Sequence, residues 1–193
     1  MPDTSPIAIV LAAGKGTRME SDLPKVLHDA AGKTLLDWVL DALQDAGCRD
    51  QIVVIGYGAD RVRTSVGERA GIQFAVQQKQ QGTGDAVRAA APRLESLVAA
   101  SDQPRPVVIV CGDSPLLRSS SIRSLLESFK STNAACLLGT AMTKDPSGLG
   151  RIVRGADKQF LRITEEKDAT ETERGIREVN MSTYIFASDQ LLR

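Results

Sequence analysis

The sequence predicts an α/β protein built on a doubly wound, mostly parallel sheet. Three observations predict it. Residues 7–10, 52–55 and 107–110 are apolar on both faces and read as buried strands. Leu36, Val39, Leu40 and Leu43, and further on Ile122, Leu125, Leu126 and Phe129, recur at helical spacing. Strand-like and helix-like segments alternate, as they do in βαβ units.

Taken in order, the first strand (residues 7–10) runs into Leu11-Ala12-Ala13-Gly14-Lys15-Gly16-Thr17-Arg18-Met19 and then Leu23-Pro24-Lys25. Small residues let another group approach this backbone closely. Exposed N–H groups with Lys15, Arg18 and Lys25 suit a polyphosphate. Residues 35–46 form a helix, N-capped by Thr34 with Asp37 three residues on, and closed by Gly47. The strand at 52–55 ends in Gly56 and Gly58. A polar helix over 59–69, an alternating strand Ile72–Val76 and an alanine-rich helix over 83–94 follow. Residues 101–106 are a loop before the strand at 107–110, and 134–142 is another strand candidate. After residue 143 the pattern changes. Glycines cluster at 148, 150 and 155, and β-like pieces at Arg151–Arg154 and 160–163 flank a Gly155-Ala156-Asp157 turn. A charged stretch (165–177), a β-like run (183–186) and a helix start at Ser188 complete the chain. This part reads as a small β-rich lid. The expected organisation is one domain over 1–193, with one part at 1–142 and a second at 143–193.

The 193 residues are enough to bury a real core, with 42% hydrophobic and 25% charged residues. Net charge is zero, which argues against a nucleic-acid partner. The apolar runs are too short to span a bilayer, and Met1-Pro2-Asp3-Thr4-Ser5 does not read as a signal peptide, so no membrane role is expected. Cys48, Cys111 and Cys136 are odd in number and widely spaced, as reduced thiols of a cytoplasmic protein are. The residues leave room for a homo-oligomer.

Open α/β sheets bind ligands at the carboxyl ends of their strands. Two common phosphate motifs are excluded there. Gly14 and Gly16 begin a dinucleotide fingerprint, but position 19 is Met. Gly32-Lys33-Thr34 ends like a P-loop, but position 27 is Leu. Three groups remain. One is the cationic loop over 11–25. The second is Gln77-Gln78-Lys79-Gln80-Gln81-Gly82-Thr83-Gly84, whose amides can read a base edge or can form a polar surface loop. The third is Cys111-Gly112-Asp113, where an Asp after a buried strand can hold Mg²⁺ against phosphate oxygens or can cap the next turn. His28, the only histidine, has no evident orienting partner and reads as structural.

These residues also carry a resemblance. The run from Leu11 to Met19 with Leu23-Pro24-Lys25 resembles the signature of sugar-1-phosphate nucleotidyltransferases. Val26-Leu27-His28, Gln81 to Gly84, Gly112-Asp113, Gly148 to Ile152, Glu165 to Ala169 and Glu178-Val179-Asn180 make the chain similar to bacterial N-acetylglucosamine-1-phosphate uridylyltransferase pyrophosphorylase domains, over roughly residues 6 to 187. The resemblance implies a Rossmann-like nucleotidyltransferase fold. It also implies an Mg²⁺-dependent reaction: UTP and N-acetylglucosamine 1-phosphate give UDP-N-acetylglucosamine, a cell-wall precursor, and pyrophosphate. By the same resemblance Leu11, Ala12, Ala13 and Gly14 lie along the nucleotide. Arg18 holds the leaving phosphates and Lys25 the reacting α-phosphate. Gln77 and Gly82 read uracil with Thr83 nearby, and Cys111 and Gly112 line the ribose. Asp113 holds the metal, and Gly150, Glu165 and Asn180 bind the sugar. Two departures stand out. The family's Asn-Thr-Gly is Asn180-Met181-Ser182 here. The family domain, whose nucleotide-binding part corresponds to 1–142 and sugar-binding part to 143–193, also continues past Arg193, where it supplies dimer-contacting or sheet-covering helices and an asparagine as a second metal ligand; Leu191 and Leu192 are expected to need a partner surface. These 193 residues are therefore expected to bind UTP or a UDP-sugar, to turn over slowly or not at all, and to carry no acetyl transfer. The remaining readings are a nucleotidyltransferase for another sugar 1-phosphate or base, and a catalytically weak nucleotide-sugar binding protein.

Overall fold

A computed structural model of the chain describes residues 4–16, 19–99, 101, 103–132 and 134–193. Two compact units divide it. The first comprises residues 1–137 and 184–193, and the second comprises 138–183. Residues 184–193, which follow the second unit in sequence, thus return to the first.

The first unit holds the parallel strands β1 (Ile7–Ala12), β4 (Asp50–Ile55), β5 (Ile72–Val76) and β6 (Pro106–Cys111), in the order β5-β4-β1-β6. β1 pairs in parallel with both β4 and β6. Tyr184–Ala187, at the end of β10 (Glu178–Ala187), adds an antiparallel strand beside β6. Strands β1, β4 and β6 are buried almost throughout because each is covered on both faces. Leu36, Val39, Leu40 and Leu43 of α1 (Leu35–Asp45), Val62 and Val66 of α2 (Ala59–Val66), and Ile122, Leu126 and Phe129 of α4 (Ser119–Lys130) share one core with Val10, Val53 and Val110. Ala86, Ala90 and Leu94 of α3 (Thr83–Val98) share another with Ile9, Ile52 and Ile109. That is the doubly wound arrangement expected.

The predicted N-cap forms as read: Thr34 Oγ1 accepts from the Asp37 amide at 3.0 Å. A two-residue hairpin, β2 (Asp29–Ala30) with β3 (Lys33–Thr34), precedes it and left no periodicity to read. After Ser188 the chain makes the short α6 (Ser188–Leu191). Leu191 and Leu192 find a surface within the first unit, packing against the α3-side core.

In the second unit β8 (Arg151–Arg154) and β9 (Phe160–Thr164) pair antiparallel, and Val179 of β10 pairs with Arg151. β7 (Cys136–Met142) pairs with β10. The expected charged stretch contains α5 (Glu171–Arg174), held by a Thr170–Glu173 capping box. No helix among the described residues is long and apolar enough to cross a membrane.

Candidate active site

Strand order reverses at β1, which has β4 on one side and β6 on the other. Ligands of open α/β sheets sit at such a switch point, beyond the carboxyl ends of the strands. There the first unit holds a cavity of about 380 Å³. Leu11, Ala12, Ala13, Gly14, Lys25, Gln77, Gly82, Thr83, Cys111 and Asp113 line it together with Gly16, Val26, Gln80 and Ala86. Nearly all the expected nucleotide residues of this unit therefore converge. The exception is Gly112, which is not among the lining residues. Its amide donates to the Leu11 carbonyl at 2.9 Å, and a Cβ there would press on Leu11 O and Leu36 Cδ1, both at 3.2 Å. It locks the ends of β1 and β6 together. Thr17 and Arg18 lie outside the described residues.

The loop after β1 is shaped by packing that the sequence did not announce. Gly16 adopts φ +67°, and a Cβ there would lie 2.6 Å from Lys25 Cβ. Only glycine lets this turn and Lys25 approach so closely. Gly58, at φ +62°, does the same for Pro24, whose Cγ would lie 2.5 Å from an added Cβ. Arg61 donates to the Asp22 carbonyl at 2.9 Å, and Lys15 Nζ sits 5.3 Å from the Tyr57 ring centre. The segment 56–61 thus braces the cationic loop. These contacts join positions far apart in sequence and have no local pattern.

Lys25 Nζ lies 2.5 Å from Asp113 Oδ2 on the cavity wall. Burial pushes the Cys111 thiol pKa up, and the Asp113 charge adds to it, so Cys111 is a neutral wall rather than a nucleophile. Gln77 is 5% exposed; its Nε2 donates to the Gly82 carbonyl at 3.1 Å and to Asp85 Oδ2 at 2.8 Å. Lys33, rejected as a P-loop lysine, pairs with Asp41 at 2.7 Å and lies over the Trp38 ring. His28 Nε2 is buried with no hydrogen-bond partner among the described residues.

In the second unit Gly150, Glu165 and Asn180 come together. The Asn180 amide donates to the Gly150 carbonyl at 2.8 Å, and a Cβ on Gly150 would lie 3.2 Å from Glu165 Oε1. Asn180 Oδ1 accepts from the Ser182 amide at 2.9 Å, and Ser182 adopts φ +51°. Sequence reading placed Arg151 in the Gly148–Ile152 motif but gave it no role; it is 2% exposed. Its guanidinium donates to Glu166 Oε2 at 2.6 Å, to the Leu149 carbonyl and to the Arg174 carbonyl.

A glycine-rich cationic loop, an amide-bearing loop and the Asp113 carboxylate thus meet around one cavity at the switch point. The chain belongs to the family of MobA-like NTP transferase domains, which matches residues 8–179. It is 44% identical over 177 residues to the bifunctional protein GlmU of Geobacter metallireducens, covering 92% of this chain and 36% of that protein. It is 46% identical over 179 residues to the GlmU of Heliobacterium modesticaldum, covering 93% and 37%. The chain thus spans little more than a third of these relatives. The crystal structure of HddC from Yersinia pseudotuberculosis shares the fold, with TM-score 0.72 and 21% identity over 97% of this chain and 79% of that one. The resemblance read from the motifs holds at the level of the family.

Proposed function

We propose that the chain transfers a uridylyl group from UTP to N-acetylglucosamine 1-phosphate, releasing pyrophosphate and UDP-N-acetylglucosamine. The observation that carries this reading is the Lys25–Asp113 pair on the wall of a cavity that the glycine loop and the glutamine loop also line. Similarity to the GlmU proteins supports the choice of substrates. Three unpaired cysteines support a cytoplasmic setting.

A sugar phosphate oxygen attacks the α-phosphorus in line with departing pyrophosphate. Both reactants are anions, so catalysis is positioning and charge neutralisation with no protein nucleophile. Lys25 holds the α-phosphate, and the backbone of residues 11–14 runs along the nucleotide. By the family resemblance Arg18 receives the leaving phosphates. Gln77 and Gly82 face the base, with Thr83 beside them, and the Cys111-Gly112 end of β6 backs the ribose. Gly150, Glu165 and Asn180 hold the sugar.

Among the described residues no group of three or more His, Cys, Asp or Glu converges, so no protein-only metal cage exists there. Mg²⁺ does not need one: it is held by one or two carboxylates plus phosphate oxygens and water. Asp113, part-exposed, paired with Lys25 and the one carboxylate among the described residues lining the cavity, fits that demand, and a bound Mg²⁺ would supply charge neutralisation at the phosphates.

The test is pyrophosphate release measured over a panel of nucleoside triphosphates and sugar 1-phosphates, with Mg²⁺ and with a chelator. UTP with N-acetylglucosamine 1-phosphate should be the best pair. Asp113→Asn should cost about a thousandfold or more in turnover with an unchanged melting curve. A different preferred pair, or near-normal turnover by Asp113→Asn, overturns the assignment. Calorimetric binding of UTP separates a weak catalyst from a protein that does not take the nucleotide.

A further inference from the structure

Gln77 is an ambiguous reader of a base. Its amide carries a donor at one end and an acceptor at the other, and a half-turn about the last torsion exchanges them. A freely turning glutamine meets uracil through its oxygen and cytosine through its nitrogen, and selects neither. In this fold the choice is made. Nε2 lies 3.1 Å from the Gly82 carbonyl and 2.8 Å from Asp85 Oδ2. Both partners are pure acceptors, so only the NH₂ end can face them. A turned amide would set its oxygen against a carboxylate and a carbonyl, an arrangement that costs both bonds and adds repulsion.

We propose that Asp85, acting through Gln77, is the positioning residue that sets base selectivity, and that it selects bases presenting an N–H at the read edge. With the NH₂ end committed, the carbonyl end of Gln77 is what a ligand in the cavity meets. Uracil and thymine carry N3–H and donate to it. Cytosine carries a bare lone pair at N3 and is repelled. Asp85 lies in the first turn of α3 and is not among the cavity-lining residues, so its effect on the base passes through the glutamine. The carboxylate is the decisive partner of the two. The Gly82 carbonyl belongs to the cavity wall whatever stands at position 85, whereas Asp85 adds a charge-assisted bond, about twice the strength of a neutral one.

This inference rests on Gln77 facing the base. It is tested by steady-state kinetics of the wild type, Gln77→Ala, Asp85→Ala and Asp85→Asn with UTP, dTTP and CTP. Asp85→Ala should lower the UTP-to-CTP ratio of kcat/KM about tenfold, as expected for one oriented hydrogen bond of about 1–3 kcal/mol, and part of the change should be a gain with CTP. A merely structural loss would lower both substrates together. Asp85→Asn keeps a neutral acceptor and should fall between. The proposal is overturned if Asp85→Ala leaves the ratio unchanged while Gln77→Ala changes it. If Gln77→Ala also leaves it unchanged, Gln77 does not read the base, and the proposal fails with that reading. A wild type with no preference for UTP over CTP defeats the uridylyl assignment itself. Calorimetric affinities for UTP and CTP on the same four proteins give the same ratio without turnover.

Discussion

Arg105 in the first unit and Arg151 in the second are both 2% exposed, and comparing their surroundings separates support from site. Arg105 pairs with Asp50 at 2.5 Å and donates to the Ser5 carbonyl at 2.8 Å and the Leu97 carbonyl at 3.2 Å. Ser5, Asp50 and Arg105 stand at the amino ends of β1, β4 and β6, whose carboxyl ends carry the cavity. Arg105 therefore pins the sheet at the end away from the chemistry. Arg151 instead follows Gly150 directly. Its partner Glu166 also accepts from the Gly148 amide at 3.2 Å, so one ion pair knits the 148–151 turn to the segment after Glu165. The same buried guanidinium stabilises strands in one unit and positions candidate ligand residues in the other.

The largest expected effect breaks this contrast if it fails. Arg105→Met leaves Asp50 and two carbonyls without their donor and should cost about 3 kcal/mol of stability. A loss of that size lowers the melting temperature of a domain this size by about 10 °C. Turnover of the folded protein should not change for either substrate. A kinetic defect measured well below the melting transition would mean that the amino end of the sheet communicates with the cavity.

Arg151→Met should behave in the opposite sense. Glu166 is 39% exposed and can return to water, so the stability loss should be smaller than for Arg105→Met, about 1–2 kcal/mol. KM for the sugar 1-phosphate should rise about tenfold, the worth of roughly one misplaced hydrogen bond, with KM for UTP unchanged. Parallel shifts in both KM values would make Arg151 a folding residue like Arg105.

The difference between the two arginines was not legible in the sequence: Arg151 stood in the Gly148–Ile152 motif without a role of its own, and Arg105 fell in the loop at 101–106. The first unit was otherwise legible nearly element by element. Its buried strands are continuous apolar runs, and its helices carry the 3.6-residue period against them. The cavity was legible for the same reason: glycine, amide and carboxylate residues sit directly after those strands, where the topology must bring them together. The second unit was legible in part: β8 and β9 lie where strands were read at Arg151–Arg154 and 160–163, although much of β9 is exposed and gives a weak apolar signal. β10 is ten residues long, yet only its apolar end at 183–186 stood out. Thr170-Glu171-Thr172-Glu173 spelled a capping box that could have been read. The Asp22–Arg61 and Arg151–Glu166 contacts are tertiary and have no local signature.

Acid sharpens the comparison further, because among the described residues four carboxyls of the second unit (Asp145, Glu166, Glu173 and Glu178) and one of the first (Asp41) are held below their usual range. Hydrogen bonds from the Thr170 amide and hydroxyl, with Arg162 beside them, hold Glu173 down at about 2. Arg151 holds Glu166 below the usual range, and Arg154 does the same for Glu178. The sign follows from linkage. A carboxyl with a depressed folded pKa stabilises fully above its unfolded value, near 4.5, and loses that contribution as pH falls through the folded value. Hydrogen exchange in the second unit should accelerate as pH is lowered from about 4.5 towards 2, after correction for intrinsic rates. These carboxylates should give no change between about pH 5 and 8. Loss of protection in the first unit before the second would contradict the contrast.

The smallest effect concerns Ser182. Its φ of +51° is a left-handed backbone position, which costs a non-glycine residue about 1–2 kcal/mol. The bend is held by its own amide donating to Asn180 Oδ1, and a glycine keeps that bond. This accounts physically for the glycine that the family's Asn-Thr-Gly pattern carries at this point. The strain also falls on the residue pair that orients Asn180, which is proposed to bind the sugar. Ser182→Gly should therefore raise stability by about 1 kcal/mol, part of the strain relief being offset by the greater entropy of glycine in the unfolded chain. Thermal denaturation measures it. Since the Asn180 bond survives, the order of preference among sugar 1-phosphates should stay the same. If Ser182→Gly changed that order, the Ser182 side chain itself would take part in choosing the acceptor, and the second unit would owe its specificity to a residue that departs from the family.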